Sequence, residues 1–282
     1  MSTSLFELTR PLPPYSLKAL KYNFARFLLN TVGRLSRGIE TGWTYGFDSG
    51  VMLDHVYENK ALGRGPLGRL IDRIYLDAPG WAGIRNRGAL LHATIIDQAT
   101  QIARGKGNVD LVDVACGGGR YVLGAIAALR QDGVNVSARL RDYRQENVDK
   151  ARANAAALGL ITTIERGDAF SDKDLASLGQ ADIAIVSGLH EIIDDDALVQ
   201  RHFDQLFTHL RPSGRLIVTL QPDHPQVEFI ARVLTSHSGR PWAMRLRPVD
   251  LIGSWAQAAG FTVETIAMEP RGIFGVLVAR KD

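Results

Sequence analysis

The chain has 282 residues, 45% of them hydrophobic and 22% charged, and its formal net charge is +3. These are globular values, and the length allows one large domain or a core with an appendage. The single cysteine, Cys116, excludes an intrachain disulfide and predicts a reducing compartment, which we take to be the cytoplasm. The N-terminus shows no signal-peptide pattern, and no apolar run approaches the ~20 residues of a membrane-spanning helix.

The positive charge is concentrated at the start of the chain. Residues 1–90 contain 12 basic and 7 acidic residues, and the stretch 10–39 contains six basic residues and no acid. Apolar residues recur there at helical spacing: Leu17, Leu20, Phe24, Phe27, Leu28 and Leu35. The pattern predicts a basic amphipathic helix. Three alternatives stay open for it: docking on its own domain, peripheral membrane contact through residues 15–37, or contact with nucleic acid.

The segment that follows the basic helix mixes aromatic residues, glycines and paired charges, for example at 45–50 and 80–85. Its hydrophobicity is too high for a disordered segment. We therefore predict that residues 1–84 form an ordered, mostly helical cap.

The most informative stretch joins a predicted strand at 109–114 to a predicted helix at 120–130. Asp113 lies at the end of the strand, and Ala115, Gly117 and Gly119 follow at alternate positions. A dinucleotide-binding turn requires a third glycine where Val122 stands, and a phosphate-binding P-loop requires a lysine that is absent. The small residues let the backbone pass close to a ligand without a pyrophosphate. The alternative is a tight strand–helix turn that binds nothing.

Strands and helices alternate along the rest of the chain, which predicts a parallel sheet with its ligand crevice beyond the carboxyl ends of the strands. The residues 211–214 contain a proline and a glycine that should end a helix and turn the chain. We predict helices at 85–104, 120–130, 145–158, 172–178, 195–210 and 249–259, and strands at 109–114, 134–141, 161–165, 182–187, 215–220, 261–267 and 273–280.

The turn and the acids behind it resemble the motif series of the class I S-adenosylmethionine (SAM) methyltransferases. In that family an acid after the second strand, here Asp142, binds the ribose hydroxyls of SAM. A later acid, here Asp168, meets the adenine amino group, and the next residue offers a backbone N–H to the ring. The resemblance covers residues 85–282. It implies SAM as cofactor, S-adenosylhomocysteine as product, and these cofactor-binding residues: Asp113, Ala115, Gly117, Gly119, Tyr121, Asp142, Tyr143, Asp168, Ala169, Phe170 and Ser187.

The same resemblance implies a fold. It is an α/β, Rossmann-like, doubly wound sheet of seven strands, the last of them antiparallel, here preceded by the helical cap. We expect a methyltransferase domain at 85–282 with a substrate-side insertion at 221–247. The N-terminal part also resembles a bacterial methyltransferase family found alone or fused to an α/β-hydrolase. The fused hydrolase looks lipase-like, which favours a lipid-like acceptor by analogy only.

A general base is needed only where the acceptor is protonated. The predicted catalytic residue is His190, just beyond the fourth strand, with a structural histidine as the alternative. Glu191 is expected to orient His190 or to cap the next helix.

Several acceptor classes do not fit the motifs. Methylation of amino groups in nucleic-acid bases usually uses Asn/Asp-Pro-Pro-Tyr after the fourth strand, where this chain has residues 187–190, so nucleic acid is disfavoured. Cys116 lies in the wrong motif for methylation of cytosine C5. Ser187 stands where catechol-type enzymes hold Mg²⁺ with an acid, so we predict no metal.

The leading hypothesis is direct SN2 methyl transfer from SAM to an oxygen or nitrogen of a small-molecule or lipid-like acceptor. The alternatives are a SAM-binding regulatory or scaffold module without methyl transfer, and a SAM-dependent enzyme that does not methylate. The oligomeric state is open.

Overall fold

The computed structural model describes residue 8 and residues 10–282. Residues 1–7 and 9, the first part of the predicted cap, lie outside the described residues. The chain divides into two compact units. The helical unit comprises Met1–Arg85 and Asp223–Leu246, and the sheet unit comprises Asn86–Pro222 and Arg247–Asp282.

The described residues contain eleven α-helices. They are, in chain order, α1 (Leu17–Asn30), α2 (Arg37–Tyr45), α3 (Gly50–Glu58), α4 (Gly65–Leu76), α5 (Pro79–Lys106), α6 (Arg120–Gln131), α7 (Gln145–Ala157), α8 (Asp172–Leu178), α9 (Asp196–His209), α10 (Val227–Val233) and α11 (Val249–Ala258). Two short 3₁₀ segments lie at Val32–Leu35 and His190–Ile192. Within the described residues, no helix combines the length and apolar character required to cross a bilayer.

The sheet has seven strands in the order β3-β2-β1-β4-β5-β7-β6. Strand β7 is antiparallel to both of its neighbours, and the other pairs are parallel. This confirms the predicted doubly wound sheet with an antiparallel last strand. The strands are β1 (Asn108–Asp113), β2 (Asn135–Asp142), β3 (Thr163–Arg166), β4 (Ala181–Val186), β5 (Leu210–Leu220), β6 (Phe261–Met268) and β7 (Gly275–Lys281).

Alternating side chains of the central strands serve two hydrophobic clusters, one for each face of the sheet. Ile183 and Ile185 of β4 join the cluster that contains Leu123 of α6. Ala184 and Val186 of the same strand join the cluster that contains Phe203 of α9. All six residues of β4 are buried, as expected for a parallel strand covered on both faces.

Side-chain caps set the starts of several helices. Ser16, Ser36, Ser49 and Ser171 each accept a hydrogen bond from the backbone N–H three residues later. Asp195 accepts from two backbone N–H groups at the start of α9. The helix starts are therefore encoded locally.

Two predicted boundaries differ from the structure by more than two residues. Helix α5 begins at Pro79, six residues before the predicted start, since proline is tolerated in a first turn. Strand β5 begins at Leu210, because residues 211–214 form an irregularity in the strand rather than a separating turn. Ser213 in that segment has φ of +62°, and Arg211 anchors it through contacts to Asp110 and Asp182.

The helical unit joins the N-terminal helices to the excursion at 223–246. Phe47 is fully buried, and it packs with Ile230 and Val233 of α10. Its N–H donates to the Thr235 carbonyl at 3.0 Å. The predicted roles of the two parts, a cap at 1–84 and a methyltransferase domain at 85–282, stay predictions.

A buried carboxylate organises the N-terminal helices. Asp72 of α4 is 0% exposed. It accepts hydrogen bonds from the Ser36 hydroxyl at 2.6 Å and from the N–H groups of Gly38 and Leu62 at 2.8 Å each. His55 Nε2 lies 3.3 Å from the same carboxylate. Burial by itself raises the pKa of Asp72, but the His55, Ser36 and backbone hydrogen bonds outweigh it and lower the pKa to about 2.

We predict that Asp72→Asn lowers the free energy of unfolding by about 2 kcal/mol at neutral pH, because buried donors lose a charged acceptor. The folded-state pKa lies below the ordinary 3.8. The stabilisation is therefore complete above that value and is lost as the pH falls toward about 2. Urea unfolding at a series of acidic pH values should show this loss in the wild type and not in Asp72→Asn. Asp77→Asn, at a half-exposed surface pair, should behave as the wild type; an unchanged profile in Asp72→Asn would contradict the prediction.

Candidate active site

The predicted glycine turn follows β1 directly. Asp113 Oδ1 accepts a hydrogen bond from the Ala115 N–H at 3.1 Å. Gly117 and Gly119 have φ of +55° and +70°, a conformation that side chains other than glycine rarely adopt. A Cβ added to Gly119 would lie 2.7 Å from Leu123 Cδ1, whereas one added to Gly117 would meet nothing within 4 Å. Gly119 therefore serves close helix packing, and Gly117 leaves open space beside the turn.

Asp142, the last residue of β2, is bound to this turn. Its Oδ2 accepts from the Gly117 N–H at 2.9 Å. Its Oδ1 accepts from the Arg144 N–H at 3.0 Å and from Asn147 Nδ2 at 2.9 Å. Because β1 and β2 are parallel neighbours, Asp113 and Asp142 lie at the same edge of the sheet. Asn147 was not predicted from the sequence, although it lies on the first turn of the helix that follows Asp142.

At this edge Asp142 lies close enough to Asp113 to affect its protonation. Burial raises the pKa of Asp113 to about 7, and Asp142 adds to the rise, while the Ala115 N–H opposes it. Burial and the same two acids raise the pKa of the Cys116 thiol well above its ordinary range. Cys116 therefore stays protonated, which does not favour a nucleophile at this position.

The third predicted segment follows β3. Asp168 Oδ1 accepts from the Phe170 N–H at 2.9 Å, and the Asp168 N–H donates to Asp174 Oδ2 at 2.8 Å. Ala169 is buried, and the Phe170 ring lies 4.7 Å from the His202 ring. Since β3 pairs with β2, this loop borders the same edge as Asp142.

The predicted tyrosines lie in different surroundings. The Tyr121 ring packs against α5 so closely that a Cβ on Gly88 would lie 2.2 Å from it. The Tyr143 side chain is 64% exposed, with the Arg166 guanidinium 5.6 Å from its ring. The assignment of both tyrosines to the cofactor stays a prediction.

Ser187 and Gly188 follow β4, and the Gly188 N–H donates to Thr219 Oγ1 at 2.8 Å. The Thr219 hydroxyl in turn donates to Glu191 Oε1 at 2.7 Å. Arg87 lies 3.5 Å from the same oxygen, and both side chains of this ion pair are about nine-tenths buried. Glu191 Oε2 is buried without a hydrogen-bond partner among the described residues. Arg87 and Thr219 were missed from the sequence, since neither lies near Glu191 in the chain.

His190 faces the interior. Its side chain is 2% exposed, its Nε2 lies 2.9 Å from His202 Nδ1, and its ring packs against Phe203. Arg247 donates to its carbonyl at 2.5 Å. The Glu191 carboxylate contacts Thr219 and Arg87. Its predicted roles, orienting His190 or capping the next helix, stay predictions. The surroundings of His190 are those of a core histidine, and its predicted action as a base has no support in this geometry.

In the described part of the chain, no group of three or more His, Cys, Asp or Glu side chains is arranged to hold a metal ion.

The strand order of the sheet is the one expected for a class I methyltransferase, and acids end β1 and β2 and follow β3 at its carboxyl edge. A family model described as "Putative methyltransferase" matches residues 2–281. The chain belongs to this family of methyltransferases.

One curated relative is the uncharacterised protein YnbC of Escherichia coli K12. It is 41% identical over 275 residues, which are 95% of this chain and 46% of YnbC. The chain thus spans about half the length of that relative.

Solved structures share the fold. A Bordetella parapertussis protein described as a "possible exported protein" superposes with a TM-score of 0.64 at 19% identity, over 93% of this chain and 95% of that one. The magnesium protoporphyrin IX methyltransferase of Synechocystis PCC 6803, with bound S-adenosylhomocysteine, superposes with a TM-score of 0.57 at 15% identity, over 86% of this chain and 99% of that one.

We predict that the sheet unit loses stability in mild acid because of His190 and His202. Burial, His202 and Arg247 lower the pKa of His190 well below 6.5, and burial lowers the pKa of His202 to about 3. The unfolded chain therefore binds protons first, and stability present above pH 6.5 is lost as the pH falls below it, by about 1 kcal/mol per histidine and pH unit.

Denaturant unfolding across this pH range should show the slope in the wild type and a smaller slope in the double variant His190→Gln/His202→Gln. The partly exposed His92 offers a matched control, and His92→Gln should keep the wild-type slope. Equal slopes in the wild type and the double variant would contradict the prediction.

Proposed function

We propose that the protein transfers the methyl group of SAM to an oxygen or nitrogen of a small-molecule or lipid-like acceptor by direct SN2 displacement. The observation that carries the proposal is the hydrogen bond between Asp142 and the Gly117 N–H. It ties the acid of the second strand to the glycine turn of the first, in a protein that belongs to a methyltransferase family.

The residues present fit SAM by their chemistry. Asp142 carries carboxylate oxygens that suit the ribose hydroxyls, and the space beside Gly117 accommodates a ligand against the backbone. The carboxyl oxygens of Asp113 and Asp142 at this edge suit a cationic ligand. The adenine would lie against the segment Asp168, Ala169 and Phe170, and Ser187 would border the methionine end.

When bound, SAM supplies a sulfonium methyl group that is already a strong electrophile. The chain then has to align the acceptor behind that group and to exclude water. If the acceptor is protonated, methyl transfer would require a group of the chain to take up the acceptor proton. We propose Glu191 Oε2 for that role, because this oxygen has no hydrogen-bond partner among the described residues, while Thr219 and Arg87 hold the other oxygen.

The proposal also covers the choice of acceptor and the location of the protein. Selection of the acceptor by residues 1–84 and 221–247 is proposed by analogy with the family. A cytoplasmic, membrane-peripheral location is proposed from the single cysteine and the basic helix.

We predict that Asp142→Ala weakens SAM binding by about 10- to 100-fold, as expected for the loss of hydrogen bonds to a charged group. Calorimetric titration with SAM measures the affinity directly. Asp149→Ala removes an acid from the surface of α7, where the side chain is 63% exposed, and should leave the affinity unchanged. Equal affinities for wild type and Asp142→Ala would show that this acid does not bind the cofactor.

We predict that Glu191→Gln lowers the rate of methyl transfer by about 100-fold or more, because the amide does not take up the acceptor proton. The assay is incubation with methyl-labelled SAM and an Escherichia coli extract, followed by separation into lipid and aqueous fractions. The SAM affinity of the variant should stay near that of the wild type. An unchanged rate would exclude Glu191 as the base, and label in neither fraction with wild-type protein would count against the proposed acceptor class.

A further inference from the structure

Helix α1 carries an apolar stripe on its exposed face. At 100° per residue, five of its side chains fall within one face about 100° wide. In the described structure all five are exposed: Leu17 at 86%, Leu20 at 53%, Phe24 at 62%, Phe27 at 61% and Leu28 at 41%. Soluble domains rarely leave so many large apolar side chains together on one face, and such a face marks an interaction surface.

The opposite face of α1 is anchored within the helical unit. Tyr22 and Leu29 pack on the cluster around Phe47, and the Leu29 carbonyl accepts from Trp43 Nε1 at 3.1 Å. Arg26 donates to the Arg232 carbonyl at 2.5 Å. One face of α1 therefore packs within the helical unit, and the face that carries the stripe is exposed.

The charged side chains of α1 itself are all basic, and one of them, Lys18, pairs with Glu228 of α10 at 2.7 Å. Residues 10–39 contain no acid. Lys21 lies on the flank of the stripe, one turn from Leu17 and Phe24, and it is exposed. Among the described residues, the side chains of Arg10, Lys21 and Arg37 form no ion pair. The surface thus combines apolar side chains with the unpaired cation Lys21.

We propose that this stripe docks on the surface of an anionic lipid bilayer, with the apolar side chains at the headgroup boundary and the cations among the headgroups. A basic amphipathic helix with Phe and Leu on its apolar face has the composition required. A symmetric contact of two copies through this stripe would pack one α1 against another, and α1 carries three bases and no acid of its own. Nucleic acid would use the cations and leave the Leu and Phe side chains in water.

The surface goes beyond methyl transfer itself, and it rests on the proposed function only in bringing the enzyme to a lipid-like acceptor. Its test is therefore independent of catalysis. The probe is a set of vesicles made of phosphatidylcholine alone or of equal parts phosphatidylcholine and phosphatidylglycerol, and the readout is co-sedimentation of the full chain at low and high salt.

We expect binding to the anionic vesicles, weakening with salt, and little binding to the neutral ones. Phe24→Glu/Phe27→Glu should lower the partition coefficient by at least tenfold, since it replaces inserted side chains by anions. Lys21→Ala should lower it about fivefold, the equivalent of one cation near the surface. Ile161→Glu makes the same kind of change at a 90% exposed position of the sheet unit and should bind as the wild type.

Thermal unfolding and SAM titration of the same variants separate this proposal from the proposed function. Unchanged SAM affinity with lost vesicle binding is the expected result for Phe24→Glu/Phe27→Glu. Absence of wild-type binding at low salt would overturn the membrane proposal, and so would an equal loss in Ile161→Glu. A wild-type dimer that the double substitution converts to monomer, or a DNA duplex bound in place of vesicles, would assign the surface to a second copy or to nucleic acid.

Discussion

The hydrogen bond from the Gly117 N–H to Asp142 is the contact on which the candidate site depends. A turn built on positive φ angles directs its backbone N–H groups away from the sheet ladder, so these groups need other acceptors. Asp142 is such an acceptor, and its second oxygen binds Arg144 and Asn147. The acid and the turn hold each other in place, which reduces the reorganisation needed when a ligand binds.

The features that could be predicted from the sequence are local ones. The buried strands read as short apolar runs, and the acids Asp142 and Asp168 stand next to the strands that position them. The partners of Glu191 were not predictable in this way, because Thr219 and Arg87 reach it through the fold. His190 shows the limit most clearly. It follows β4 directly, yet the 3₁₀ turn at His190–Ile192 directs its ring toward His202 in the core.

The helical unit was hidden for a similar reason. Periodicity shows that a helix has an apolar face but not which face it will meet. Residues 10–85 and 223–246 therefore looked like two separate additions to a sheet. Their union rests on contacts between distant positions, such as Phe47 with Thr235 and Asp48 with the His237 imidazole at 2.8 Å. The turn at Gly46 also lies against this segment, because a Cβ on Gly46 would lie 2.3 Å from the backbone nitrogen of His237.

The proposed chemistry and the proposed surface make opposite electrostatic demands on one chain. The proposed cationic cofactor would be bound by acids such as Asp142, whereas an anionic bilayer would be bound by cations such as Lys21. If the acids and the bases lay next to each other, they would form ion pairs, and neither set would be available for a ligand or a lipid headgroup. The sequence keeps them apart, since residues 10–39 contain six bases and no acid. Residues 1–90 carry 12 bases and 7 acids, and the rest of the chain carries 21 bases and 23 acids, so the excess of positive charge comes from the front of the chain. Asp113, in the sheet unit, is buried at 3% exposure.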